Sequence, residues 1–83
     1  MTRSEILERL QKILRQVVGD DQLIINNNTT ADEVTGWDSF NHINLIMGVE
    51  VEFGIRFNVA ELENLKNVGG FVALIEKHLI NNK

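Results

Sequence analysis

The sequence predicts a small all-α protein: a four-helix bundle with three longer helices, one short third helix and a long loop between helices one and two. Two observations predict this fold class. Apolar residues recur at spacings of three and four in separate segments, and capping residues or glycines stand where those segments begin and end. The chain has 83 residues, the length of one domain, so residues 1–83 are expected to form a single unit.

Composition and charge restrict the classes of function. The 8 Lys and Arg residues against 12 Asp and Glu residues give a formal charge of −4. A negative chain repels phosphate backbones, so a nucleic-acid partner is not expected. The acidity suits a partner with a basic patch, or it simply keeps the protein soluble. No segment reaches the roughly 20 apolar residues of a membrane span, and the N-terminus lacks an apolar signal segment. We therefore expect a cytoplasmic monomer that does not enter a membrane.

The first predicted helix begins at Thr2, because Glu5 three residues later completes a capping box. Gly19 ends the helix, since glycine adopts the left-handed conformation at low cost. Between these residues the apolar side chains form one stripe, which is most simply core. That stripe consists of Ile6, Leu7, Leu10, Ile13, Leu14, Val17 and Val18.

The segment from Asp20 to Trp37 is predicted to be a loop without a strand. Its run of Asn and Thr residues at 26–30 favours turns and has no helical period. Four apolar residues in the loop are expected to anchor it on the bundle: Leu23, Ile24, Ile25 and Val34.

The second helix is predicted from Ser39 to Phe53, with Asp38 as its N-cap and Gly54 as its stop. Its apolar residues fall into two stripes. The first is assigned to the core and consists of Leu45, Ile46, Val49 and Phe53. The second consists of Phe40, Met47 and Val51, with Ile43 between the two. This second stripe is either part of a wide buried face or an exposed surface that docks a partner.

Two further helices complete the predicted bundle. Asn58 with Glu61 begins a short helix that reaches about Leu65, and Asn67 caps the last helix. The inner face of the last helix consists of Val68, Phe71, Val72, Ile75 and Leu79. Gly69 and Gly70 in its first turn are unfavourable in a helix and predict a soft start.

Ser39 is the residue of chemical interest. At the first helical position it is exposed, and the free amides of the first turn favour an anion such as a phosphate there. Ser39 is therefore either a plain helix-start residue or the attachment point of a phosphate-bearing group. A hydrolytic triad with Asp38 and His42 is not expected, because Asp38 caps the helix and the spacing is wrong. A metal site is not expected either, since the chain has no cysteine and His42 and His78 lie on different helices.

The residues around Ser39 resemble the acyl carrier protein family. The resemblance is carried by Asp38-Ser39-Phe40, Ile43, Leu45-Ile46-Met47, Val49-Glu50 and Glu52-Phe53-Gly54-Ile55, and it extends from about Val34 to Leu79. It implies that Ser39 carries 4'-phosphopantetheine, transferred from coenzyme A by a phosphopantetheinyl transferase with magnesium. It implies also that acyl groups are held as thioesters on that arm and that the protein itself is not an enzyme. Phe40 replaces the usual leucine of the motif.

The resemblance also implies partners, namely an acyl-loading ligase or acyltransferase and downstream synthases. Asn41, Asn44 and Val51 stand where acids are common in the family, so docking is expected to depend less on charge and more on apolar contact. The predicted partner-binding residues are Asp38, Phe40, Ile43, Met47, Glu50 and Val51. These departures favour a specialised carrier in a fatty acid, lipid or polyketide-type pathway.

Three alternatives stay open at the level of sequence. A carrier for amino acids or aryl acids shares the fold and the serine, although Gly36-Trp37-Asp38-Ser39 matches the usual motif of such carriers poorly. An unmodified helical interaction module would have the same helices without an attached group. His42 either packs at the end of the bundle or lines the mouth of a cavity that receives an acyl chain.

Overall fold

The computed structural model describes residues 1–63, 65 and 67–81 and, of residue 81, only the backbone. Across these residues the protein is all-helical, which confirms the predicted fold class. Its helices are α1 (Arg3–Val18), α2 (Ser39–Phe53), α3 (Val59–Glu63) and α4 (Val68–Asn81), and a 3-10 turn (Ala31–Glu33) interrupts the loop before α2. The loop contains no strand, as predicted.

One apolar core holds the helices together, because α1 packs against both α2 and α4. Burial of these side chains is the main stabilising contribution in a domain of this size. Loop residues join helix residues in the core. Its buried members are Ile6, Leu10, Leu14, Ile25, Val34, Trp37, Leu45, Val49, Phe53, Ile55, Val68, Phe71, Val72 and Ile75, and Ile46 packs against them.

The predicted helix ends agree with the structure except at the end of α3. Thr2 Oγ1 accepts the N–H of Glu5 at 3.2 Å, and Glu5 Oε1 accepts the N–H of Thr2 at 2.9 Å, which forms the capping box. Gly19 and Gly54 both adopt the left-handed conformation, with φ of 73° and 65°. At α3, Asn58 Oδ1 accepts the N–H of Glu61 at 2.9 Å. This helix ends at Glu63, before the predicted Leu65, and residue 64 lies outside the described residues.

The long loop lies along α1 and is held there by polar side chains. Gln11 Oε1 accepts the N–H of Ile25 at 2.8 Å, and Arg15 Nε donates to the carbonyl of Leu23 at 2.7 Å. Ile25 therefore points into the core, and its neighbour Ile24 points outward and is 79% exposed. The prediction that Ile24 anchors the loop is wrong for this reason, because adjacent side chains of an extended segment face opposite sides.

The start of α4 is tied to the same loop. Val68 N–H donates to the carbonyl of Thr29 and Gly69 N–H to the carbonyl of Asn27, both at 2.8 Å. A Cβ atom at Gly69 would lie 2.8 Å from that Asn27 oxygen, so only glycine allows this approach. The glycine therefore serves a close backbone contact, and the first turn of α4 is held more firmly than the sequence predicted.

Candidate functional site

Ser39 is the first residue of α2, and it is exposed. The cap is provided by Asp38, whose Oδ1 accepts the N–H of Asn41 at 2.8 Å. Asn41 Nδ2 in turn donates to the carbonyl of Gly36 at 2.7 Å, which fixes the turn that leads into the helix. Because Asp38 satisfies the helix end, as predicted, the Ser39 hydroxyl is not needed to cap it.

An open groove with a volume of about 470 Å³ lies beside Ser39. A smaller inner cavity of about 40 Å³ adjoins this groove and reaches toward α4. The groove is lined by Ala31, Asp32, Trp37, Asp38, Ser39, His42 and Leu65, and the inner cavity by Ala31, Trp37, His42, Leu65, Asn67 and Phe71. Trp37 and His42 therefore belong to the walls of both spaces.

Trp37 and His42 form a hydrogen-bonded, stacked pair at this position. Trp37 Nε1 donates to His42 Nδ1 at 3.0 Å, and the two rings stack with centroids 6.0 Å apart. The other side of His42 contacts Phe71 edge to face, with centroids 6.3 Å apart. An indole nitrogen can only donate, so His42 Nδ1 carries no proton and the ring is neutral. Burial lowers the pKa of His42 in agreement with this state.

The pairing of Trp37 with His42 was not predicted, although the sequence contains a signal for it. With Asp38 as N-cap, Trp37 occupies the position before the cap and His42 the fourth helical position. Side chains at these two positions often contact each other across a helix start. The contact with Phe71 has no comparable signal, because it depends on how α4 packs against α2. Both interpretations left open for His42 agree with the structure, because the half-buried ring packs against Trp37 and Phe71 and also lines the groove and the inner cavity.

Ser39, His42 and Asp38 do not form a hydrolytic triad. The Asp38 carboxylate accepts a backbone N–H, and His42 Nδ1 accepts the Trp37 N–H, so the carboxylate does not orient the imidazole. Within residues 1–63, 65 and 67–81, no group of three or more His, Cys, Asp or Glu side chains is placed to hold a metal ion. The chemistry available at this site is that of an accessible hydroxyl.

The second apolar stripe of α2 is exposed to solvent. Phe40 is 73%, Ile43 59%, Met47 58% and Val51 85% exposed. We call these four residues the apolar strip. The alternative of a wide buried face on α2 is therefore wrong, because only the stripe of Leu45, Val49 and Phe53 is buried against the neighbouring helices.

The two acidic residues predicted to bind partners lie beside the strip and have intramolecular contacts of their own. Glu50 is half-buried, and its Oε2 accepts the N–H of Phe57 at 3.0 Å. Asp38 uses Oδ1 for the cap of α2. Each carboxylate therefore uses one oxygen for a hydrogen bond within the protein, and its other oxygen can contact a partner.

A second histidine cluster connects α3 with α4. His78 Nε2 lies 2.9 and 3.0 Å from the two carboxylate oxygens of Glu61. The His78 ring contacts Phe57 edge to face at 5.2 Å between centroids, and Phe57 contacts Phe71 in the same way at 5.8 Å. Hydrogen bonds from the Asn58 backbone and then from His78 lower the pKa of Glu61. The ring contacts thus form a continuous row from the groove to His78 on α4.

The Ser39 region is compatible with a covalently attached phosphate-bearing group. The hydroxyl is exposed, the amides at the N-terminus of α2 favour a negative charge, and the adjoining groove provides room. A four-helix bundle with such a serine at the start of its second helix has the architecture of a carrier protein, a class that presents a tethered group to other proteins.

Comparisons with known proteins identify the family. The family model described as a phosphopantetheine attachment site matches residues 8–75. The acyl carrier protein of Thermotoga maritima is 32% identical over 78 residues, which cover 94% of this chain and 96% of that protein. The acyl carrier protein of Cyanidium caldarium is 34% identical over 86 residues, which cover 100% of this chain and 95% of that protein. The chain belongs to the acyl carrier protein family.

Solved structures agree with this assignment. The solution structure of the holo acyl carrier protein from Geobacter metallireducens is 40% identical, with a TM-score of 0.86 over 93% of this chain and 88% of that one. The crystal structure of the Thermotoga maritima acyl carrier protein is 25% identical, with a TM-score of 0.84 over 98% and 94%. No helix in the described part of the chain is long and apolar enough to cross a membrane.

Proposed function

We propose that Ser39 is the attachment point of 4'-phosphopantetheine and that the chain carries acyl groups for partner enzymes. The observation that supports this most is the position of Ser39, exposed at the start of α2 beside the groove, with the helix cap provided by Asp38. The membership of the chain in the acyl carrier protein family supports the same residue, since the Asp38-Ser39-Phe40 motif carries the resemblance.

Ser39 acts as the nucleophile when the arm is attached. Its Oγ forms a bond to the pantetheine-bearing phosphorus of coenzyme A, while the phosphoanhydride bond to the nucleotide breaks and the hydroxyl proton passes to a base of the transferase. When bound, 4'-phosphopantetheine supplies a terminal thiol that holds the acyl group as a thioester. The residues of the chain then position the arm, because Ser39 is fixed to the rigid start of α2.

Intact-mass measurement tests the attachment. The protein is incubated with coenzyme A, magnesium and a broad-specificity phosphopantetheinyl transferase, and we expect a gain of one phosphopantetheinyl group. Ser39→Ala should gain no mass and keep a helical circular-dichroism spectrum. Ser4→Ala is the matched control, because Ser4 is the other serine of the chain and is also exposed on a helix. An unmodified wild-type protein would instead support the helical interaction module, and modification of Ser39→Ala would show that the residue is assigned wrongly.

We propose further that the apolar strip, together with Asp38 and Glu50, binds the partner enzymes. The strip is exposed, begins next to Ser39 at Phe40 and continues along α2 to Val51. A partner docked on it reaches the group at Ser39 without displacing core residues. Apolar contacts are expected to contribute most of the affinity, since Asp38 and Glu50 each use one carboxylate oxygen within the fold.

This apolar docking surface supports a specialised carrier rather than one for general fatty acid synthesis. The partners are a phosphopantetheinyl transferase, an acyl-loading ligase or acyltransferase, and downstream synthases of a fatty acid, lipid or polyketide-type pathway in the cytoplasm. We also propose that residues 1–83 act as one carrier domain, because α1, α2 and α4 share a single core.

A further inference from the structure

The Trp37–His42 pair lines the way from Ser39 into the bundle. The groove beside Ser39 and the inner cavity share four residues as walls, namely Ala31, Trp37, His42 and Leu65. The pair is joined by a hydrogen bond of 3.0 Å, and the far side of His42 contacts Phe71. A chain that enters the inner cavity from Ser39 therefore passes along the bonded pair, which forms two of the four shared walls.

The inner cavity is too small for a long acyl chain. One water-sized group needs about 10–15 Å³, so the cavity volume of 40 Å³ holds a fragment of roughly three such groups. Phe71 on the α4 side is fully buried in the close-packed core and resists displacement. Within the bonded pair Trp37 is buried and His42 is half-buried, so His42 is the member of the pair whose side chain can move to enlarge the cavity.

The hydrogen bond holds this wall in its closed position. Trp37 is 8% exposed, and its indole nitrogen can only donate a hydrogen bond. If His42 turned away, the Trp37 N–H would lose its acceptor in a largely buried position, which is unfavourable. The neutral His42 ring therefore favours the closed cavity.

We propose that the Trp37–His42 pair is a gate that keeps acyl chains of more than a few carbons out of the inner cavity of this carrier. Longer chains stay outside the bundle while the pair is intact. The gate rests on the proposed function, because it requires an acyl group tethered at Ser39. Trp37 and His42 act as positioning residues, since they control access to the cavity and take no part in attachment.

Thioester cleavage by hydroxylamine tests the gate. Wild-type protein and His42→Ala are loaded from acetyl- and octanoyl-coenzyme A by the broad-specificity transferase, and loading is verified by intact mass. Each cleavage rate is divided by that of the corresponding free acyl-coenzyme A. In the wild type we expect the two normalised rates to agree within about twofold, which is less than the effect of one hydrogen bond. In His42→Ala the octanoyl rate should fall about fivefold, the effect of roughly one hydrogen bond.

Two further variants separate the gate from a general effect on the fold. Trp37→Phe keeps an aromatic ring and removes only the hydrogen-bond donor, so octanoyl cleavage should be slower than in the wild type, as in His42→Ala. This variant also tests the gate if His42→Ala does not fold. Asn44→Ala is the control, because Asn44 is exposed on the same helix and lines neither the groove nor the inner cavity. Its two normalised rates should match those of the wild type.

Trp37 is the only tryptophan of the chain and provides a second readout. Its emission maximum should be the same in acetyl- and octanoyl-loaded wild type and should differ between the two forms of His42→Ala. A wild-type octanoyl form that is already protected, with a shifted emission maximum, would overturn the gate while leaving the proposed function intact. If the wild type gained no mass at all, the proposed function would fail, and the gate for tethered acyl groups with it.

Discussion

His42 and His78 are the two histidines of the chain, and both are half-buried with a ring edge against a phenylalanine. His42 Nδ1 accepts a hydrogen bond from Trp37, and His78 Nε2 faces the carboxylate of Glu61. An indole N–H needs an imidazole nitrogen that accepts a hydrogen bond, whereas an ionised carboxylate needs an imidazole nitrogen that donates one. The hydrogen-bond partner therefore decides whether the ring nitrogen accepts, as in His42, or donates, as in His78.

The two clusters are separate in chemistry but are joined through Phe71. Its ring contacts His42 directly and reaches His78 through Phe57. Substitutions that remove this link should affect both clusters, and substitutions at one partner should affect a single cluster.

Phe71→Ala should have the largest effect, because it removes the ring that both clusters share. Truncation of a buried phenylalanine destabilises a protein by about 3–5 kcal/mol, and Phe71 is fully buried. Urea unfolding should show this loss, and Trp37 emission should report a more exposed indole. A loss below about 1 kcal/mol would mean that the site collapses around the missing ring and that the aromatic row does not depend on it.

Trp37→Phe should break the His42 cluster alone. The substitution removes one hydrogen bond, worth about 0.5–1.5 kcal/mol, and keeps most of the buried ring. Thermal unfolding gives the stability change, and nitrogen chemical shifts of the imidazoles report the tautomer of each histidine. We expect the shifts of His42 to change and those of His78 to stay as in the wild type. Changes at both histidines would show that the two clusters are coupled more closely than the contacts indicate.

Acidification should break the same hydrogen bond without a substitution. Burial lowers the pKa of folded His42 below the ordinary value of 6.5, so the unfolded chain binds the proton first. The contribution of His42 to stability is then fully present above about pH 6.5 and is lost as pH falls through the lowered folded pKa. Among the described residues, Asp32 and Asp38 are the acidic side chains that line the same groove.

Unfolding measured from pH 8 down to pH 5 checks this dependence, with His42→Ala as the control. The variant keeps His78 and Glu61, so the difference between the two curves isolates His42. We expect the difference in the free energy of unfolding between the wild type and the variant to shrink as the pH falls. Parallel curves throughout would mean that His42 has the same pKa in the folded and unfolded states.

Val51→Glu should have the smallest effect on stability, because it lies in the apolar strip away from both histidines. Val51 is the most exposed residue of the strip, and surface changes of this kind stay within about 0.5 kcal/mol. Acyl transfer by the native partner should slow at least about tenfold, since the charge enters an apolar contact. Acyl transfer between the variant and a housekeeping fatty acid enzyme that binds an acid at this position should become faster. Asn44→Asp, which adds an acid outside the strip, should leave the native transfer rate unchanged, and an equal effect of both variants would count against docking on the strip.

The sequence was sufficient to predict those parts of the fold that depend on neighbouring residues. The caps by Asp38 and Asn58, the left-handed Gly19 and Gly54 and the buried stripe of α2 all follow from spacings of a few residues. Ser39 was predicted as the candidate site for the same reason.

Apart from the Trp37–His42 pair, which has a local sequence signal, the missed features depend on contacts between distant segments. The edge contact of His42 with Phe71 requires the packing of α4 on α2, and the outward orientation of Ile24 follows from the bond between Gln11 and Ile25. Gly69 was interpreted from helix propensity alone, because the approach of the Asn27 carbonyl leaves no local pattern. These positions were set by tertiary structure that short sequence spacings do not encode.

The hydrogen bonds at the start of α4 have a consequence for the dynamics of the site. First-turn amides of a helix have no partner within the helix and usually exchange quickly with solvent. Val68 and Gly69 instead donate to Thr29 and Asn27 in the loop that leads to the 3-10 turn, one wall of the groove. Hydrogen exchange at these two amides therefore reports on detachment of the loop rather than on fraying of α4. Slow exchange there would indicate that the groove beside Ser39 is already shaped before any partner binds.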